Sequence, residues 1–192
     1  RLESSVDTLI VIPNDKLLEL APELPLQTAF KVADEILTNA VKGITELITK
    51  AGLVNLDFAD VKAVMVDGGV SLMGMGESDS ANRARDAVDK ALTNPLLDLD
   101  ISEATGALVN IIGGTDMSLD EYKQVMEVIG EKISHDAKII SGAQISPDMD
   151  KSIKVLLIVT GVKSSQILGA STDLTINQKD ELEKELGIDF LK

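Results

Sequence analysis

The residues whose types and spacing best suit chemistry lie in the segment GLVNLDFAD, at positions 52–60. Asn55 occupies the N-cap place before a predicted helix, which puts Asp57 and Asp60 three positions apart on one face of its first turn. Two carboxylates at an exposed helix start can polarise a water molecule or hold a cation. Acidic residues in a first turn also compensate the helix dipole, and the spacing alone favours that structural role.

Two glycine-containing segments are the other places where a phosphate group can be considered. Gly74-Met75-Gly76 and Gly113-Gly114 are short and interrupted, whereas a triphosphate needs a run of consecutive backbone N–H donors. We therefore interpret these glycines as turn residues rather than as a nucleotide site.

The composition excludes several classes of function. Lys and Arg total 18 against 32 Asp and Glu, a formal net charge of −14, so no broad surface for nucleic acid is expected. The absence of cysteine excludes disulfides and thiolate chemistry. No apolar run approaches the ~20 residues of a membrane span, and no signal peptide is recognisable. We expect a cytoplasmic protein that does not insert into a membrane.

Strands that alternate with helices predict an α/β layered domain. Apolar residues at spacings of three and four predict one long amphipathic helix over residues 26–50, roughly 35 Å in length. A capping-box pattern at Ser118 and Glu121 marks the start of another helix. Further helices are predicted at residues 56–66, 80–92, 118–133 and 177–186. The inner side of the helix at 56–66 is predicted to carry Phe58, Val61, Val64 and Met65. Strands are predicted at residues 6–13, 70–76, 107–112, 138–144 and 153–162, the last being nearly all apolar and therefore central.

The chain resembles FtsZ, the bacterial and archaeal relative of tubulin, from about residue 6 to residue 162. Its loop and following helix, GLVNLDFADVKAVM, resemble the synergy loop of that family. The segment LIVIPNDKLLEL resembles the last strand and short helix of the family's nucleotide-binding domain, and FKVADEILTNAVKGITELIT resembles its central helix. The C-terminal domain is matched by GVSLMGMGESDSANRARDAVDKALTNPLLD and ALVNIIGGTDMSLDE.

The resemblance implies a fold and a domain organisation. The expected fold is the layered α/β C-terminal domain of the tubulin/FtsZ fold, a mixed four-stranded sheet with helices, preceded by a long central helix. The expected segments are the end of the GTP-binding domain (1–25), the central helix (26–50), the GTPase-activating domain (51–163) and a C-terminal tail (164–192). The family's phosphate-binding signature GGGTGTG is absent and residue 1 is Arg, so we expect a fragment of a longer protein.

The resemblance also implies a function for individual residues. In FtsZ, GTP lies between subunits stacked head to tail, and Asn55, Asp57 and Asp60 match the loop residues that trigger its hydrolysis in the neighbouring subunit. Asp34 matches the position that hydrogen-bonds guanine, and Phe30 matches a position that packs on the base, although a Phe on an apolar stripe is usually core. GTP or GDP and Mg²⁺ are expected at the interface of the full-length protein, and this fragment alone is expected to be inactive.

The implied partners are other FtsZ subunits in a filament at the division site. Leu186, Ile188, Phe190 and Leu191 form either a docking motif for membrane tethers and division proteins or a helix that folds back on its own domain. Two alternatives remain, a non-catalytic module that caps filaments and a divergent FtsZ-like cytoskeletal paralogue. The long helix is also expected to expose an apolar stripe, which predicts self-association or rearrangement of the isolated fragment.

Overall fold

The apolar runs of the chain form five strands that hydrogen-bond into one sheet in the computed structural model, which describes residues 5–12, 25–50, 52–54, 57–97 and 101–162. Asn55 and the proposed docking motif of the tail lie outside these residues. The strands are β1 (Thr8–Ile10), β2 (Gly69–Ser78), β3 (Gly106–Gly113), β4 (Lys138–Ile145) and β5 (Ile153–Thr160).

The strands follow the spatial order β1-β2-β5-β3-β4. β5 is antiparallel to both β2 and β3, whereas the β1–β2 and β3–β4 pairs are parallel. All residues of β5 except Lys154 are buried, because helices cover both faces of the sheet at its centre. The prediction that the apolar segment at 153–162 is the central strand is therefore confirmed.

The mixed α/β fold is confirmed, with one more strand than the four expected. The first predicted strand, expected at the end of a nucleotide-binding domain, pairs in parallel with β2 through the register Thr8↔Gly69 to Ile10↔Ser71. Without β1, the outer edge of β2 would present unpaired N–H and C=O groups. The short strand β1 provides hydrogen-bond partners along this edge of β2, and β1 is itself the edge strand of the sheet.

Helices pack on both sides of the sheet in two separate layers. The helices are α1 (Leu26–Thr49), α2 (Phe58–Met65), α3 (Arg83–Leu92) and α4 (Leu119–Lys132). α3 and α4 share one core with the sheet face that includes Val109 and Leu157, and α1 and α2 share another with Leu108 and Ile158. Within the described part of the chain, no helix combines the length and the apolar character needed to cross a membrane.

Gly74 and Gly76 lie within β2, so their interpretation as turn residues is wrong. A Cβ on Gly74 would stand 2.1 Å from the carbonyl oxygen of Ala91, and one on Gly76 would stand 2.0 Å from that of Ala87. The two glycines therefore let the backbone of α3 approach the strand, and their role is packing.

The long helix α1 carries two apolar faces. Ile36, Ala40 and Leu47 are buried against the sheet. Phe30 and Val41 point away from it, with 55% and 61% of their surface exposed. The predicted exposed stripe is therefore present, and self-association through it remains a prediction.

Candidate functional site

The start of the acidic loop is pinned to the outer edge of β4 by main-chain hydrogen bonds. The N–H groups of Leu53 and Val54 donate to the carbonyl of Ala143 at 2.8 and 3.3 Å, and the Ala143 N–H donates to the carbonyl of Val54 at 3.2 Å. A Cβ at position 52 would lie 2.3 Å from the same Ala143 oxygen, so only Gly52 allows this approach. The loop therefore leaves α1 along a defined path.

Asp57 and Asp60 cap α2 reciprocally. The Asp60 N–H donates to Oδ1 of Asp57 at 2.9 Å, and the Asp57 N–H donates to Oδ2 of Asp60 at 3.3 Å. Asp57 is thus the N-cap, and α2 begins at Phe58 rather than at the predicted Leu56. The prediction of Asn55 as the N-cap is wrong, because the Asp-x-x-Asp pair forms a complete capping box two residues later.

The capping box leaves part of each carboxylate available. Asp57 is exposed and Asp60 is half-buried, and neither second oxygen accepts a hydrogen bond from the residues that the structure describes. Both carboxylates stand at the N-terminal, positive end of the α2 dipole, and the capping hydrogen bonds keep them at a fixed place. They can accept a hydrogen bond from water or from a donor outside the chain.

The surroundings of these acids are exposed and apolar. Leu53 and Phe58 have 69% and 66% of their surface in solvent. The prediction that Phe58 lies on the inner side of its helix is wrong. The buried residues of α2 are Val61 and Val64, which face the sheet. An acidic pair flanked by exposed apolar side chains is suited to contact with another surface.

The far end of α2 is fixed by two threonine hydroxyls. Thr160 of β5 donates to the carbonyl of Val64 at 3.3 Å, and Thr8 of β1 donates to the carbonyl of Met65. These carbonyls belong to the last turn of the helix, where no intrahelical donor remains. The acidic pair therefore stands on a helix that is anchored at both ends.

Phe30 and Asp34 lie on the exposed face of α1, one helical turn apart. The structure does not bring them to the acidic loop, since about 22 Å of helix separates position 34 from the end of α1 at Thr49. The four predicted site residues that the structure describes therefore form two separate pairs, Phe30 with Asp34 on α1 and Asp57 with Asp60 at the start of α2. Asn55 lies outside the described residues.

An ion-pair cluster around the buried Arg83 connects α3 to the start of α4 and was not among the predictions. Arg83 Nε donates to Glu121 Oε1 at 2.6 Å, and its Nη1 donates to Asp116 Oδ2 at 2.7 Å. The hydrogen bonds from Arg83 lower the pKa of Glu121 to about 2, and the same contacts raise the pKa of Arg83. Ser118 and Glu121 form the predicted capping box, so that prediction is confirmed. Arg83 gave no sequence signal, because its partners lie 33 and 38 positions away.

No group of three or more histidine, aspartate or glutamate side chains suited to a metal ion occurs among the described residues. Asp57 and Asp60 form a pair, and a pair supplies too few ligands for a dedicated protein site for a divalent cation.

Comparison with known proteins relates these features to one family. Residues 69–163 match the model of the FtsZ family, C-terminal domain. Over 192 residues the chain is 53% identical to Cell division protein FtsZ 1 of Archaeoglobus fulgidus and covers 50% of it. Over 167 residues it is 59% identical to Cell division protein FtsZ 1 of Pyrococcus furiosus and covers 45% of it.

The fold agrees with these relatives. A solved structure of an FtsZ dimer from M. jannaschii matches 84% of this chain with a TM-score of 0.80 and 53% identity, and 47% of that chain is covered. The chain therefore spans about half the length of the relatives that it matches. Matching in sequence over its whole length and in fold over most of it, the chain belongs to the FtsZ family.

Proposed function

We propose that this chain is the part of a GTP-dependent division filament that completes the catalytic site of a neighbouring subunit. The observation that carries the proposal is the exposed Asp57–Asp60 capping box, which holds two carboxylates at a fixed place while leaving an oxygen of each available. The names of the relatives, cell division proteins FtsZ, support the biological setting. The filament would act at the division site in the cytoplasm.

The proposed chemistry is the positioning of a water molecule for phosphoryl transfer. The available oxygens of Asp57 and Asp60 accept hydrogen bonds from that water and align it with the γ-phosphate of the neighbour's GTP. Asn55 lies in the same loop and would face the γ-phosphate and its metal. Bound GTP would supply the phosphoryl group that is transferred. It would also bring Mg²⁺ bound to its phosphates, because protein carboxylates alone rarely hold this ion.

The proposed base-binding residues are Asp34 and Phe30. A carboxylate can accept hydrogen bonds from the ring N1–H and the exocyclic amine of guanine together, and an exposed aromatic ring can pack on the base. Both side chains are exposed on α1, which leaves them accessible to a nucleotide held by a further domain. Residues 1–25 would then belong to that GTP-binding domain, 26–50 to the central helix, 51–163 to the activating domain and 164–192 to the tail.

The separation of the two groups of residues supports assembly head to tail. A subunit that binds the base near one end of α1 and presents its acids near the other end forms a heterologous contact, and repetition of that contact gives a filament. Hydrolysis would then depend on assembly, because the acids and the nucleotide meet only between two subunits. The tail would recruit membrane tethers or other division proteins.

The experiment mixes this chain with a cognate nucleotide-binding domain and GTP and measures phosphate release. Asp57→Ala and Asp60→Ala should each lower kcat about 100-fold, as expected for the loss of a group that positions or stabilises the reacting atoms. Asp120→Ala is the matched control, because Asp120 is also an exposed acid in a first helical turn but lies at α4. Unchanged turnover in both loop variants would show that the catalytic assignment is wrong.

A second candidate function is the capping of filaments without catalysis. It is favoured by the position of Gly74 and Gly76 inside β2, where they cannot cradle phosphates. A chain that offers the loop but no nucleotide pocket would block further growth at one filament end. Sub-stoichiometric chain should then reduce the sedimentation of full-length FtsZ polymers, and unaffected sedimentation would rule capping out.

A further inference from the structure

The interior strand β3 carries a buried amide that is bonded to the long helix. Asn110 is 1% exposed, and its Nδ2 donates to the main-chain carbonyl of Gly43 in α1 at 3.2 Å. Its Oδ1 has no hydrogen-bond partner among the described residues. A buried acceptor without a partner lowers stability, so an apolar side chain would suit this place better if packing were the only demand. The amide therefore calls for a role other than stability.

Gly43 lets the backbone of α1 lie close to the sheet at this point. A Cβ on Gly43 would stand 2.1 Å from Cδ2 of Leu156, the residue that pairs with Asn110 on β5. The Asn110 amide and the Leu156 side chain therefore meet the helix at the same residue. A carbonyl inside a helix also accepts the N–H four residues further on, so α1 does not need the bond from Asn110 in order to form.

The remainder of the contact between α1 and the sheet is apolar and gives little direction. Ile36, Ala40 and Leu47 of the helix are buried in one cluster with residues of the sheet such as Leu108. Apolar packing depends on the area that is buried and not on direction, so it discriminates weakly between neighbouring registers of a helix. A hydrogen bond to one carbonyl selects a single register, as one buried Asn does in a coiled coil.

We propose that Asn110 sets the register of α1 on the sheet and is thereby a positioning residue, an inference whose catalytic part rests on the function proposed above. Asp34 lies nine residues before Gly43, about 14 Å along the helix axis. Slippage by one turn would move it by about 5 Å relative to the sheet on which Asp57 and Asp60 are held.

Such a displacement is large beside the misplacement of about 1 Å that already impairs catalysis. In a head-to-tail filament each subunit presents the base-binding residues to one nucleotide and the acids to the next, so the distance between the two pairs must match the repeat. Asn110 is buried under α1 and touches neither the nucleotide nor the attacking water.

The register can be measured on the chain alone, because the bond from Asn110 is already made there. The chain contains no cysteine, so Lys31→Cys on α1 and Asp148→Cys just after β4 can carry a pair of spin labels without background. Both side chains are exposed. Since Leu53 bonds to Ala143 near the end of β4, α1 runs toward that end, and the distance between the labels follows a slide of the helix along its axis.

Asn110→Leu removes the donor and leaves an apolar side chain. The distance distribution should gain a second population displaced by about 5 Å, or broaden at least about twofold. Ser71→Ala is the matched control, because it also removes a buried, unpartnered polar atom but lies on β2, and it should keep the parent distribution. Neither variant should lose thermal stability, since the removal of an unsatisfied buried group is close to neutral. Asn110→Ala serves the same purpose if the leucine prevents folding.

The two-part assay tests the catalytic consequence. N110L should lower kcat about tenfold with the KM for GTP unchanged, because Phe30 and Asp34 move together with α1 while the acids stay on the sheet, and S71A should leave both constants unchanged. If the parent mixture shows no turnover, the proposed function fails, and the distance measurement alone decides whether Asn110 sets the register. Parent-like distances in the Asn110 variants, or an altered register with an unchanged kcat, would overturn the positioning role.

Discussion

Two capping boxes in this chain, at the starts of α2 and α4, have the same local geometry but different roles. At α4, Ser118 and Glu121 satisfy the first N–H groups of the helix, and both oxygens of Glu121 are also bonded by the guanidinium of Arg83. At α2, Asp57 and Asp60 accept hydrogen bonds from the equivalent N–H groups. Within the described chain, only one oxygen of each carboxylate accepts such a bond. One box is closed by a tertiary partner, and the other is open to solvent.

The comparison shows that a capping motif does not reveal its role by itself. Both boxes place acids in a first helical turn, where the helix dipole favours them. The difference arises from a single long-range contact, because Arg83 reaches one acid and no described cation reaches the other pair. A closed box fastens two helices together, whereas an open box presents charge to a partner.

The largest effect on stability is expected from opening the closed box. Arg83→Met should lower the free energy of unfolding by about 3 kcal/mol, because Glu121, whose side chain is only 23% exposed, would lose the cation that offsets its charge. Urea unfolding monitored by circular dichroism gives this value. Arg85→Met is the matched control, since Arg85 is 61% exposed and 3.8 Å from Asp89. A loss of the same size in both variants would contradict the importance of the closed box.

Acid should open the same box without a mutation. The folded pKa of Glu121, about 2, lies below its ordinary value of 4.5, so its contribution is present above pH 4.5 and is lost as the pH falls toward 2. With allowance for its partial exposure, the contribution is about 2 kcal/mol. Unfolding free energies measured across this pH window should decline less steeply in Glu121→Gln than in the parent chain. Parallel curves for the two proteins would count against the prediction.

Substitutions of Asp57 in the open box should distinguish its role as a helix cap from its role in catalysis. They have the smallest expected effect on the stability of the chain. Asp57→Ser keeps an oxygen for the Asp60 N–H and should change the unfolding free energy by only a few tenths of a kcal/mol, whereas Asp57→Ala should cost about 1 kcal/mol. Both remove the carboxylate, and both should lower kcat about 100-fold in the two-part assay. Turnover that survives in Asp57→Ser but not in Asp57→Ala would mean that the residue acts only as a cap.

Local patterns predicted most of the elements and the positions of the acids. The long helix, the central strand at 153–162 and the capping box at Ser118 follow from periodicity, apolar composition and side chains that bond within one turn. The errors at Asn55 and Phe58 have different causes. The helix start is set by the capping box of Asp57 and Asp60, and the exposure of Phe58 is set by which face of α2 packs on the sheet.

What the sequence determined by itself is therefore whatever depends on neighbours along the chain: the helices, the strands, the excess of acids and the identity of the loop residues. Tertiary structure alone decided that Arg83 closes one box and that Ala143 pins the acidic loop. Such contacts join residues that are dozens of positions apart, and their strength depends on burial, which no local pattern encodes.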